Sequence, residues 1–276
     1  MESDMKTKKK KILKIILIVV ISLVVLATLI GTIGLRLVIR HYAKQVTAEM
    51  TPPAEYFTEY DQTLADFGEM QDITHNGMTV TIPAYFQELE MPMHETYMYG
   101  VIDEEGNSSD TECIVFSRPD DVSDLSLFSE ESMAEMGDSF LKKYALKKLA
   151  KGFEDLGHGI PDNAYTTLKS TSLLSKDDYS FWNWQQGFAY VVSGLLKNAY
   201  FTFDYNYIYE TDDICGIIHV RDYTLDTDGS TKGYKYYIIA EMYSTDDFST
   251  SHVLLIRSNT PEMAYGMINS IVIGND

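Results

Sequence analysis

Twenty-one consecutive residues, Ile15 to Leu35, carry no charge, and Lys6, Lys8, Lys9, Lys10, Lys11 and Lys14 stand just before them. An apolar helix rises about 1.5 Å per residue, so about 20 such residues cross the hydrocarbon core of a bilayer. The run predicts a transmembrane helix over 15–35 and makes the lipid bilayer a partner of this chain. Arg36, Arg40 and Lys44 follow it. The excess of lysine before the run predicts a cytoplasmic N-terminus and an extracytoplasmic C-terminal part at a cell membrane. A signal peptide has an apolar core of about 7 to 15 residues, so this longer segment is expected to be retained. No cysteine follows it to take a lipid anchor.

Residues 1–35 hold six lysines against Glu2 and Asp4, so of the chain's net charge of −19 the remainder carries −23. Such a field repels nucleic acid and favours cations or basic partners. Aromatic and β-branched residues are plentiful beyond the anchor, and the apolar surface they bury offsets chain entropy, which predicts a folded domain. Cys113 and Cys215 each sit in an apolar, strand-like run. Two cysteines so far apart fit one long-range disulfide or two buried thiols, and exclude a disulfide framework.

The organisation that follows has four parts: a basic cytoplasmic segment over 1–14, the apolar run over 15–35, a stalk over 36–76, and an extracytoplasmic α+β domain over 77–276. The stalk is polar, contains Pro52-Pro53 and shows one short helical pattern from Tyr56 to Phe67. Gly77 to Pro83 alternates apolar and polar residues with period two and reads as a strand. Tyr97–Ile102 and Glu112–Phe116 read as a hairpin. Ser129, followed by Glu130 and Glu131, opens a long helix that Gly157 and Pro161 end. A second helix is expected from Asp178 to Lys197, and Asp162 to Ser175 has a weak helical pattern. Four strands follow at hairpin spacing, over 200–209, 213–225, 233–243 and 252–258. Thr260-Pro261 then opens a final helix reaching Ile271. The expected fold class is α+β: an N-terminal transmembrane helix followed by one extracytoplasmic domain with a mainly antiparallel sheet and packed helices.

A strand ending in Pro83 with Tyr85-Phe86, a hairpin, a long helix, an antiparallel meander and the closing Met267-Ile268-Asn269-Ser270-Ile271 resemble the PsbP-like α/β/α domain over Gly77 to Ile273. The chain departs from that pattern in its tryptophan-containing helix between the two halves. The resemblance implies a role in binding or assembly and carries over no functional residue.

Catalytic and metal patterns are sparse. No two of the six histidines have the spacing of zinc ligands on a helix, so neither metal nor cofactor is expected. Thr224 to Gly229 matches the start of a calcium loop, but Lys235 stands where the bidentate glutamate belongs, and the segment reads as a hairpin turn. Ser139-Phe140-Leu141-Lys142 has the Ser-x-x-Lys spacing without the partner motifs of penicillin-recognising enzymes. The strongest local pattern is Phe201, Phe203, Tyr205, Tyr207 and Tyr209, an aromatic stripe on one strand face. Such a face is either covered by helices as core or lines a concave ligand surface, with Tyr205, Tyr207 and Tyr209 as candidate ligand-binding residues. The function expected is a non-catalytic binding or assembly module on a bacterial cell surface, meeting an envelope or membrane protein. The alternatives are a membrane-tethered cell-envelope hydrolase and a cation- or ligand-sensing accessory domain.

Overall fold

The computed structural model describes residues 31–58, 64–91, 93–102, 111–122, 128, 140–226 and 233–274. The chain divides into two compact units, Met1–Pro53 with Ser123–Thr202 and Ala54–Val122 with Phe203–Asp276. It therefore passes from one to the other three times. All the described strands belong to the second unit and all the described α-helices but one to the first. Charge divides along the same line. The helical unit holds 17 of the 22 lysines and arginines against 13 acids, for +4, and the sheet unit holds 5 against 28, for −23.

Among the described residues four α-helices build the helical unit: α1 (Gly31–Glu49), α2 (Phe140–Leu156), α3 (Ala164–Leu173) and α4 (Trp184–Tyr200). Helix α4 touches the other three. Its residues Phe188 to Val192 and Leu196 join Leu149, Phe153 and Leu156 of α2 and Ile39, Ala43 and Val46 of α1, with Met50 just beyond it, in one buried cluster. Two glycines set how closely the axes approach. A Cβ on Gly152 would run into the Gln185 carbonyl, and one on Gly194 would overlap Val46 Cγ1. Polar ties reinforce the α1 contact: Tyr190 Oη meets Thr47 Oγ1 at 2.8 Å, and Asn198 Nδ2 donates to the Val46 carbonyl at 3.1 Å.

The expected fold class is corrected here. Among the described residues no helix is long and apolar enough to cross a membrane, and the chain forms two units rather than a transmembrane helix followed by one domain. The end of the uncharged run, residues 31–35, is the first part of α1, which continues through Arg36, Arg40 and Lys44. Ile39, Ala43 and Val46, with Met50 just past the helix, recur at four, three and four, so one stripe of α1 is apolar and faces α4 while Arg40 and Lys44 are exposed and Arg36 is half-buried. The rest of the run, residues 15–30, lies outside the described residues, as does the expected start of the long helix near Ser129.

The sheet unit carries a mixed sheet in the order β1-β8-β9-β10-β11-β6-β5-β4, in which β7 also pairs with β11. In sequence these strands are β1 (Glu55–Tyr56), β4 (Gln87–Leu89), β5 (Tyr97–Gly100), β6 (Cys113–Phe116), β7 (Asp120–Asp121), β8 (Tyr205–Glu210), β9 (Ile214–Asp222), β10 (Tyr236–Ser244) and β11 (Asp247–Ser258). The β1/β8 pair is parallel and the other ladders are antiparallel. A three-stranded sheet holds β2 (Met70–His75), β3 (Met78–Pro83) and β12 (Val272–Ile273), next to the closing helix α5 (Pro261–Asn269). The β2–β3 turn is Asn76-Gly77, both at positive φ, the geometry of a type I′ hairpin. The core face of the large sheet, including Ile218, Ile238, Ala240, Leu254, Ile256, Ile114 and Phe116, packs with Val80, Ile82, Met267 and Ile268.

The residues around the cysteines settle one open alternative. Both thiols are buried and unbridged. Cys113 lies on β6 and Cys215 on β9, three ladders apart, which at about 4.8 Å per ladder is about 14 Å and beyond the reach of a disulfide.

In an exposed helix Gly→Ala gains about 1 kcal/mol. Here the added methyl meets a β-branched side chain that cannot swing away, so Gly194→Ala should destabilise the helical unit by about 1 to 3 kcal/mol. Pairing it with Val46→Ala should recover part of that loss. Urea unfolding followed by circular dichroism reads the cycle, and additive losses would show that the two residues do not meet.

Candidate functional site

Strand β8 begins four residues after Phe201, whose N–H closes α4 on the Lys197 carbonyl. Phe201 and Phe203 therefore precede the strand instead of extending the stripe. Within β8 the register sets Tyr205, Tyr207 and Tyr209 opposite Val220, Ile218 and Gly216 of β9, all on the core face. The three tyrosines grade from outside to inside. Tyr209 is buried, Tyr207 is half-buried, and Tyr205 is 43% exposed. Phe57 sits edge-on to Tyr207 at 5.9 Å and to Tyr265 at 5.3 Å, and its ring lies 5.7 Å from Tyr209. Aromatic contacts of this kind contribute about 0.5 to 1.5 kcal/mol each beyond area burial, so they fix the inner part of the stripe. Strand β1 pairs only with Tyr207 and Ile208, which leaves Tyr205 beyond its cover.

A polar cluster secures the same end of β8. The Arg221 guanidinium donates to Asp204 Oδ1 at 2.8 Å and to Asp226 Oδ1 at 2.6 Å. Asp204 Oδ2 accepts the Asp222 N–H at 2.8 Å, and Asp222 in turn caps the turn at Tyr223–Leu225 through the Thr224 N–H. Two carboxylates thus neutralise one cation and pin the residues just before Tyr205 to the end of β9. On this same face, opposite the tyrosines, His219 Nδ1 lies 2.7 Å from Asn206 Oδ1. An amide oxygen there requires the proton on Nδ1, so an amide rather than a carboxylate orients this imidazole. Alternation along β9 sets Arg221 on the face of His219, opposite the face shared by the three tyrosines, Ile218 and Val220, so the cluster braces the strand ends behind the stripe.

Elsewhere the perturbed groups are tied into structure. His75 stacks on Tyr97 at 3.8 Å and meets Tyr99 Oη at 2.9 Å, and burial lowers its pKa. His252 is buried on the core face, and desolvation lowers its pKa as well. Burial pushes the Cys113 thiol up to about 11, which removes thiolate character at neutral pH. Lys197 is fully buried, and desolvation lowers its pKa to about 8. Its ammonium donates to the Ser172 and Leu174 carbonyls at 2.9 and 2.6 Å, satisfying the C-terminal end of α3. Among the described residues no group of three or more His, Cys, Asp and Glu is placed to hold a metal ion. In the calcium-loop segment Asp226 is engaged by Arg221, and residues 227–232 lie outside the described residues, as does Ser139 of the Ser-x-x-Lys pattern.

Sequence reading passed over the Arg221 cluster and Lys197. A lone arginine among acids gives no spacing signal, and Lys197 reads as the polar end of a helix. No protein-family model, no curated protein and no solved structure matches this chain.

The Lys197 site carries a pH signature. Between pH 8 and its ordinary pKa of 10.5 the unfolded lysine holds a proton that the folded one has released, so stability rises with pH across that window. Lys197→Met should cost about 1 to 3 kcal/mol by leaving two carbonyls without a donor. The gap between wild type and variant should widen from pH 8 to pH 10 in urea titrations. A constant gap would show an ammonium with an ordinary pKa.

Proposed function

We propose that this chain is a non-catalytic binding or assembly module held at a cell membrane by its N-terminal segment, with its folded units on the extracytoplasmic side. The observation that carries the reading is the graded tyrosine stripe: Tyr207 and Tyr209 are locked in an aromatic cluster while Tyr205 reaches solvent beyond the short edge strand. Tyrosine held rigidly on a sheet loses little entropy on binding and presents both a ring and a hydroxyl, as favoured contact residues do. The charge of −23 on the same unit selects for a basic or cation-bearing partner, an envelope or membrane protein, and against nucleic acid. The lysines before residue 15 support the N-in orientation. The PsbP-like resemblance points to the same class of role.

A photo-crosslinking amino acid at position 205 of the full chain, expressed in cells, tests this. A discrete protein adduct is expected at 205 and not at Asp246, an exposed turn position of the same unit. Adducts that do not differ between the two positions would contradict the reading.

A further inference from the structure

One surface of the helical unit is unlike the rest of this acidic chain. Residues 31–48 carry Arg36, Arg40 and Lys44 and no carboxylate, and residues 179–200 contain no carboxylate either. The three cations stand four apart along α1, flanking the stripe that is buried against α4, with Arg40 and Lys44 exposed and Arg36 half-buried. Leu37, inside this row, is 54% exposed. The segment that leads into α4 lies beside it. A Cβ on Gly187 would meet both Ile39 of α1 and Tyr179 of that segment. The Arg40 guanidinium sits over the Phe181 ring at 5.6 Å, and Phe181 meets Trp182 edge-on at 5.3 Å. Trp182 is 77% exposed, the most exposed of the large apolar side chains described. Of the carboxylates nearest this segment, Asp155 is engaged by Lys151 and Asn183, Asp178 by His158 and the Ser175 N–H, and Asp177 is exposed.

We infer that this patch of Arg36, Leu37, Arg40, Lys44, Phe181 and Trp182 docks on a lipid surface, with the tryptophan at the headgroup boundary and the cations on anionic headgroups. Three arguments choose lipid as the occupant. Tryptophan beside arginine, with an apolar body and a polar rim, is the composition that membrane interfaces select. The cationic row is complementary to anionic lipid, and the carboxylates that would be repelled by such a surface are confined to the other parts of the chain. Arg36, Leu37 and Arg40 also lie in the first three turns of α1, and the thirty residues before it in the sequence hold most of the uncharged run and six lysines. The inference rests on the proposed membrane location and adds to it a folded surface that reads the bilayer directly.

The two tryptophans of the chain are Trp182 and Trp184, so Trp184→Phe leaves Trp182 as the single reporter. The full-length variant is reconstituted into vesicles of phosphatidylcholine with phosphatidylglycerol, then floated through a density gradient and examined by fluorescence. The chain should float, and Trp182 emission should be blue-shifted, lost to acyl-brominated lipid and shielded from aqueous iodide. Replacing Arg36, Arg40 and Lys44 together by glutamine should restore iodide access. A chain that floats while Trp182 stays open to iodide overturns the docking and leaves the membrane location standing. Shielding from iodide without loss to brominated lipid also overturns it, in favour of a protein cover. A chain that does not float overturns both. If Trp184→Phe fails to fold, the difference between wild-type and Trp182→Phe spectra gives the same reading.

Discussion

The packing of α1 on α4 is the contact on which both halves of this chain depend. It joins residues from before the sheet unit begins to residues about 150 positions later, across a connection that itself supplies β1 to β7. Closing so long a loop costs entropy that only a close and well-tied contact offsets. The pair has both qualities: Gly194 lets Val46 approach, and Thr47, Tyr190 and Asn198 bind across the seam. The same interleaving appears in the sheet unit, where β6 from the first pass pairs with β11 from the last and β1 pairs with β8. Each unit is thus completed by the return of a distant segment, and neither is a contiguous stretch of sequence.

This interleaving lets one chain keep two electrostatic characters apart. Lysine and arginine are gathered in the helical unit, and 28 of the 41 acids in the sheet unit. The helical unit's surplus comes from the six lysines before residue 15; from residue 31 on it holds 11 cations and 11 carboxylates and is neutral, while the sheet unit carries −23 and would be repelled by an anionic surface. The tyrosine stripe and the Arg221 cluster belong to the acidic side, and the α1 cations to the other.

Sequence patterns were most legible where the period was clean. The β5–β6 hairpin, the strands from β9 to β11 and the Pro261 start of α5 lie close to where alternation and capping predict them. Strand β2 (Met70–His75) lies inside the segment expected to be a stalk, and the Asn76-Gly77 turn that joins it to β3 falls at the expected boundary between stalk and domain. Helix α3 is poor in apolar residues and rests on the Asn163/Thr166 capping box, a local signal weaker than hydrophobic spacing. The α1 reading turned on charge. Arg36 reads as the end of an apolar run, and the buried positions 39, 43 and 46 that continue the helix, with Met50 just past it, are visible only when cations are allowed along it. For the stripe, alternation placed Tyr205, Tyr207 and Tyr209 on one face, but their graded burial depends on Phe57 and Tyr265 from remote parts of the chain.

The most direct test of this account is hydrogen exchange of the full chain, resolved for the amides of Ile39 to Met50. If α1 is a structural member of the helical unit, those amides should exchange as slowly as the core of α4, Phe188 to Leu196, and should open together with it as denaturant is added. Exchange of the 39–50 amides at the rate of an exposed segment, while α4 stays protected, would contradict it.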